Sequence, residues 1–226
     1  MINPPLAMKL CGFLYIYILI TNAASVGLGN RTGETDSESK LPEISENPGR
    51  YRMGIIIAIA SHLGIVAITW TLFRAFSPFN RQLALFGSIS RLGEALAMIF
   101  GEVTALQLID LARDYALANS DKESLISLGD QVLWTKNIGV DLGLLLLSIG
   151  AIAYCFSFVQ SGAVPSMIAW LGLAAGIISA VGILIKFASG FSALAVIGMV
   201  LMMVFEVTFG GWLIFFSHKY VRRVIV

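Results

Sequence analysis

Charged side chains are scarce in this 226-residue chain. Asp, Glu, Lys and Arg make up 13% of it, whereas a soluble domain carries about a quarter. Hydrophobic residues account for 57%, and the mean hydropathy is +0.83. This deficit of charge predicts an integral membrane protein whose main partner is the lipid bilayer.

Cysteine is nearly absent, and neither sign of charge dominates. Cys11 and Cys155 both lie in apolar runs, so neither a disulfide framework nor a thiolate metal site is predicted. A formal net charge of +1 excludes a broad basic surface for nucleic acid. No Gly-rich phosphate loop, nucleophile elbow or cofactor motif is present, so we predict no cofactor and lean away from an enzyme.

Six continuous apolar segments are long enough, or nearly so, to cross a hydrocarbon core of about 30 Å as helices. We therefore predict an all-α fold, a six-transmembrane-helix bundle forming one integral membrane domain over residues 1–226. The predicted spans are 6–27, 53–76, 82–110, 137–160, 165–186 and 190–217. The first segment also fits a secretory signal cleaved near Ala24 or Ser25, and that alternative stays open.

Short-loop basic residues indicate the orientation of the helices. On one side of the predicted bundle, the basic residues have no acidic residues near them in the loops. They are Lys9, Arg74, Arg81, Lys219, Arg222 and Arg223. We predict that this side is cytoplasmic and carries both termini, in a cell membrane. The external loop 28–52 is polar and is expected to lie loosely outside. Leu125, Leu128 and Val132 within 119–134 predict a short interfacial helix anchored by Trp134.

A guanidinium and two carboxylates lie deep in the predicted helices. Arg91 and Glu94 are three residues apart on one face of the third span, and Glu206 lies at a similar depth in the sixth. Since Arg keeps its charge, we predict that it sits between both carboxylates. This triad is interpreted either as a structural clasp or as a proton or cation site. Gly210, Gly211 and Trp212 after Glu206 suit close helix packing.

A second polar group is predicted in the outer half of the spans. His62, Glu102 and Asp141 lie at depths that allow them to converge. They are interpreted first as a polar patch lining a water-filled vestibule. A metal-assisted hydrolytic site is weaker, because no HExxH motif accompanies them.

The two halves of the chain contain a weak repeat. A shift of 112 residues places Arg74 over Lys186, and it likewise aligns Ser77 with Ser189, Phe79 with Phe191 and Glu94 with Glu206. Three helices per half would make this repeat inverted, a 3+3 arrangement known from secondary transporters.

Three stretches resemble a known family: FRAFSPFNRQLALFGSISRLGEA, AYCFSFVQSGAVPSMIAWLGLAAG and FEVTFGGWLIF. They are similar to the prokaryotic membrane family of domain of unknown function 4386. The family pattern falls here on Pro78, Asn80, Arg91, Pro165, Glu206 and Trp212. The resemblance implies six helices and a prokaryotic cell membrane, and it implies no activity.

These observations rank three functions. The first is a small transporter or intramembrane binding protein for an ion, proton or small solute, with a homodimer as one arrangement. The second is a non-catalytic helical subunit of a larger membrane complex or sensor. The third is a membrane hydrolase that uses the outer polar residues.

Overall fold

The computed structural model describes residues 4–117 and 121–216, which form eight helices and no strand. The helices are α1 Pro4–Gly27, α2 Ser37–Glu46, α3 Pro48–Phe76, α4 Arg81–Ala105, α5 Gln107–Leu117, α6 Lys122–Ser161, α7 Ser166–Ser189 and α8 Ala193–Phe215. The predicted all-α class is confirmed. Lys219, Arg222 and Arg223, which support the predicted orientation, lie outside the described residues.

Six stretches of helix are long and apolar enough to cross a membrane, as the sequence predicts. They are Pro5–Gly27, Pro48–Phe76, Arg81–Leu117, Lys122–Ser161, Ser166–Ser189 and Ala193–Phe215. The third combines α4 and α5, which are separated at Leu106 by a tight turn whose amide donates to Val103 O at 3.2 Å. The chain is therefore a polytopic helical membrane protein. Its orientation and its inverted repeat stay predictions.

The predicted interfacial helix is not a separate element. Residues from Lys122 onward form the first turns of α6, a continuous helix of 40 residues, while Asn119 and Ser120 lie outside the described residues. No proline interrupts this stretch, and its one early glycine, Gly129, lies against Ser37 with no room for a side chain. Trp134, the predicted anchor, is 65% exposed on this helix.

The segment 28–52, predicted to be a loose external loop, is partly helical. It contains α2, which packs against α5 and buries Leu41 and Ile44. Asp36 caps α2 by accepting hydrogen bonds from the amides of Glu38 and Ser39 at 3.0 and 3.4 Å. Hydrogen bonds from Ser39 and Glu38 hold the pKa of the Asp36 carboxyl below its usual range. Two apolar anchors and a cap therefore help to hold this segment, although its average composition is polar.

The chain divides into two compact units. Unit 1 comprises residues 1–18, 64–95 and 143–226. Within it, the structure describes residues 4–18, 64–95 and 143–216. Its core is aromatic, with Phe76 and Phe158 at 4.5 Å between ring centroids and Phe158 and Phe209 at 5.4 Å. In this unit α7 and α8 approach so closely that a Cβ on Gly198 would lie 2.4 Å from the Cα of Ser179.

Unit 2 comprises residues 19–63 and 96–142. Its apolar core joins α2, α3, α5 and α6 with the end of α4. The core residues are Leu41, Ile44, Tyr51, Ile55, Ala105, Leu108, Ile109, Ala112, Val132 and Leu133. Each unit also contains a cluster of buried charges, and these clusters are the candidate sites.

Candidate functional site

Arg91 is a buried cation in unit 1. It lies ten residues into α4, about 15 Å along the helix axis, and only 3% of it is exposed. Small residues make room for it, because a Cβ on Gly150 of α6 would lie 3.3 Å from Arg91 Cγ. A guanidinium cannot lose its proton in a protein, so the surrounding helices must supply its countercharge.

Two carboxylates face this guanidinium, as predicted from the sequence. The Nη1 atom of Arg91 lies 3.0 Å from Glu94 Oε2 and 3.5 Å from Glu206 Oε1. The closer contact is an ion pair without a directed hydrogen bond, since Glu94 Oε2 and Arg91 Nε both lack a hydrogen-bond partner among the described residues. The longer contact with Glu206 is a weak hydrogen bond at the limit of useful length.

The charges in this triad do not balance. One guanidinium offsets one carboxylate, so two ionised carboxylates would leave one excess negative charge in a buried setting. Glu94 and Glu206 have side-chain exposures of 3% and 16%, which makes Glu206 the more accessible of the two. An uncompensated charge at membrane depth costs at least about 2.5–3.5 kcal/mol. The excess therefore calls for a proton or a bound cation.

A small cavity adjoins the triad. Arg91 and Glu206 line it together with Tyr15, Tyr154 and apolar side chains, namely Leu72, Leu147, Ala151, Phe158, Phe205 and Phe209. Its volume of about 10 Å³ is room for about one water molecule. Such a water has polar groups to bind, because Arg91 and Glu206 both line the cavity and Arg91 Nε has no hydrogen-bond partner among the described residues.

Helix α1 closes one side of the triad. The ring of Tyr15 lies 5.9 Å from Arg91 Cζ, a cation–π contact, and meets Phe209 edge to face. A Cβ on Gly210 would lie 3.1 Å from Tyr15 Cβ, so the glycine permits this close approach. Gly211, predicted to share that role, has no atom within 4 Å of an added Cβ among the described residues.

Trp212, the third residue of the predicted packing group, is 7% exposed in unit 1. It stacks on Phe209, with 6.2 Å between the ring centroids. The tryptophan therefore extends the aromatic core that surrounds the cavity.

Two hydroxyl groups form a buried hydrogen-bonded pair close to the cavity. Tyr154 Oη lies 2.6 Å from Ser88 Oγ and donates to the carbonyl of Ala84 at 3.1 Å. Because the tyrosine hydrogen is engaged by that carbonyl, Ser88 acts as the donor to Tyr154. Gly87 allows the ring to lie against α4, since an added Cβ there would come within 2.7 Å of it. Sequence reasoning did not identify this pair.

In the predicted outer cluster, Glu102 belongs to a hydrogen-bonded network of unit 2. Glu102 Oε2 accepts a hydrogen bond from Asn30 Nδ2 at 2.7 Å, and Asn30 Oδ1 accepts one from Lys136 Nζ at 2.6 Å. Glu102 is therefore linked to a buried lysine through an amide. His62 is buried, and its Nδ1 has no hydrogen-bond partner in the part of the chain that the structure describes.

Asp141, the remaining member of the predicted cluster, is partly buried on α6. Within residues 4–117 and 121–216, no group of three or more His, Cys, Asp or Glu side chains is placed to hold a metal ion. The hydrolytic interpretation of His62, Glu102 and Asp141 stays a prediction.

Two buried lysines, absent from the sequence-based site, organise unit 2. Lys136 also donates to the carbonyl of Arg31 at 2.7 Å. Lys40 donates to the carbonyl of Gly29 at 2.6 Å and forms ion pairs with Glu34 and Glu43 at 3.0 and 3.1 Å. Both lysines are at most 2% exposed. Together they fix the segment that follows α1 by binding its backbone carbonyls.

Comparison with protein families matches residues 10–216 to the family described as Domain of unknown function (DUF4386). The match spans most of the chain, and the chain belongs to this family. No curated protein and no solved structure matches it.

Proposed function

We propose that this member of a family of unknown function is a membrane-embedded proton-binding protein, and that it moves protons through exchange at Glu206. The observation that carries the proposal is the charge imbalance of the triad, in which one permanently charged guanidinium lies between two buried carboxylates. The prediction made from the sequence was broader and included ions and small solutes. The dimensions and charge of the site favour the proton.

The size of the cavity argues against an organic solute. A volume of about 10 Å³ admits about one water molecule, whereas ligand pockets for small molecules are typically about 300–1,000 Å³. The charge of the site argues against a metal cation, because such an ion would have to bind Glu206 beside a guanidinium 3.5 Å away. A proton instead forms a covalent O–H bond and needs no ligand shell.

Glu206 is the better candidate for the exchanging carboxyl. It lines the cavity, its side chain is 16% exposed, and its contact with Arg91 is the longer one. Glu94 lies closer to the guanidinium, so Arg91 attracts its ionised form more strongly. In the proposed resting state, Glu94 and Arg91 are charged and Glu206 holds the proton.

Other titratable groups face this site from neighbouring helices. Cys11 and Tyr15 lie on α1, and Tyr154 lies on α6. All three are neutral in their ordinary protonation state near pH 7, so they do not offset the charge of either carboxylate. The balance within the triad therefore depends on Arg91, Glu94 and Glu206.

The test is proton flux into liposomes that contain the purified protein and an internal pH dye. After an external pH jump, wild-type protein should equilibrate the lumen faster than empty vesicles do. Glu206→Gln should remove the difference, because an amide cannot take up the proton. The control is Glu46→Gln, which changes an exposed carboxylate on α2. Equal flux through wild type and Glu206→Gln would refute the proposal.

A helical subunit without transport activity is the second candidate. The contact of Arg91 with Glu206 joins α4 to α8, and it stabilises that helix pair whether or not any proton exchanges. This function predicts that mild detergent extraction recovers a stoichiometric membrane partner. It also predicts that wild-type liposomes are no more permeable to protons than empty ones.

A further inference from the structure

We propose that the hydroxyl groups of Tyr154 and Ser88 carry protons between the Glu206 cavity and the N-terminal end of α4. This inference rests on the proposed function of Glu206 as the proton-exchanging carboxyl. It adds the route by which that proton reaches the carboxyl, and it assigns a role to two polar side chains that the triad does not use.

The first support is position. Tyr154 and Glu206 line the same cavity, which has room for about one water molecule. A water in this cavity would lie next to both side chains. Apart from Arg91 and Tyr15, the remaining lining is apolar, so the Tyr154 hydroxyl is one polar group through which a proton can leave the cavity.

The second support is the hydrogen-bond chain beyond the cavity. The hydroxyl of Ser88 donates to Tyr154 Oη at 2.6 Å, and Tyr154 Oη donates to the carbonyl of Ala84 at 3.1 Å. Ser88, the outer member of the pair, lies seven residues from the start of α4, about 10.5 Å along the axis, and Arg81 at that start is exposed. The pair therefore lies between the triad and the exposed end of its helix.

The transfer balances as a relay of single protons. Tyr154 turns its O–H bond from Ala84 O toward the cavity water and gives that water its proton, while the water passes one of its own to a Glu206 oxygen. Ser88, which is 7% exposed, then gives its proton to the tyrosine oxygen and takes one from a water molecule that reaches it from the α4 end. One proton leaves solvent, one arrives on Glu206, and every hydroxyl and the water are restored.

The experiment measures hydrogen–deuterium exchange at the Glu206 carboxyl in reconstituted protein. Its carboxylic C=O stretching band is identified by its loss in Glu206→Gln. After a switch to deuterated buffer, Tyr154→Phe and Ser88→Ala should each slow the shift of this band. The expected factor is about a hundred, the low end for loss of a positioned proton-transfer group.

Matched controls separate proton transfer from damage to the fold. Ser90→Ala removes a neighbouring buried hydroxyl that bonds only the carbonyl of Phe86 among the described residues. Tyr115→Phe removes a tyrosine hydroxyl in unit 2. Both controls should exchange at the wild-type rate, and all four variants should keep the wild-type helical circular dichroism.

The possible results discriminate between the two claims. A Glu206 band that exchanges at the wild-type rate in Tyr154→Phe or in Ser88→Ala overturns the route while leaving the proposed function intact. The absence of any carboxyl band that Glu206→Gln removes overturns the proposed function and the route with it. Slowing in both variants, with unchanged controls, supports the route.

Discussion

Removing the two carboxylates of the triad one at a time and together should give strongly non-additive losses of stability. At an effective dielectric constant of about 20, each carboxylate at the observed 3.0 or 3.5 Å attracts Arg91 by about 5 kcal/mol before desolvation. Either one suffices to neutralise the guanidinium. Glu94→Gln or Glu206→Gln alone should therefore change the free energy of unfolding by about 1 kcal/mol or less.

The double variant leaves a buried guanidinium that cannot shed its charge. Removing the whole countercharge of a buried ion costs about 3–5 kcal/mol of stability. Because the glutamine oxygens still accept hydrogen bonds from Arg91, we expect the free energy of unfolding to fall by about 3 kcal/mol. The assay is thermal or denaturant unfolding of wild type, both single variants and the double variant in the same detergent. Additive losses within about 0.5 kcal/mol would refute the shared-countercharge reasoning, because independent sites add to that accuracy.

Three further predictions concern stability. Lys136→Met should destabilise the protein by about 3–5 kcal/mol in denaturant unfolding, because Glu102 loses its buried countercharge. Adding Glu102→Gln should restore part of this stability, because the carboxylate without a countercharge is then removed. Gly198→Ala should lower stability by about 1–3 kcal/mol, because the added Cβ would lie 2.4 Å from the α7 backbone. As the control, Gly211→Ala should be neutral or slightly stabilising, because its Cβ meets no described atom within 4 Å. Leu41→Ala should lose about 2–5 kcal/mol and speed amide exchange throughout α2; unchanged exchange would mean that α2 folds independently of its apolar anchor.

The contacts of the triad could be predicted from the sequence because they follow from helical geometry. Arg91 and Glu94 are three residues apart, so one helix face holds both. Glu206 lies at a similar depth in another span, and a charge in an apolar run has few alternatives to pairing. Hydropathy likewise located the six spans, since the length of a membrane helix is set by the bilayer.

The buried network of unit 2 could not be predicted in the same way. Lys40 and Lys136 are almost fully buried, yet hydropathy assigns lysine to the aqueous side of a boundary. Their main partners include the backbone carbonyls of Gly29 and Arg31. Every residue has a backbone carbonyl, so the residue type does not show which carbonyl will bind a lysine. The polar composition of segment 28–52 suggested a loose segment for the same reason, because its folding depends on partners supplied by α5 and α6.

The two buried charge clusters differ in a way that bears on function. In unit 2, Asn30 joins Lys136 to Glu102 through 2.6 and 2.7 Å hydrogen bonds, and an amide with fixed donor and acceptor ends holds charges apart without passing a proton. In unit 1, Arg91 meets its carboxylates at 3.0 and 3.5 Å beside a cavity for one water, with polar atoms left unbonded. Short, directed bonds favour a fixed structure, whereas loose contacts with an excess carboxylate favour exchange. Proton binding is therefore expected at Glu206 and not at Glu102, and replacing Glu102 by Gln should leave proton flux unchanged wherever the protein still folds.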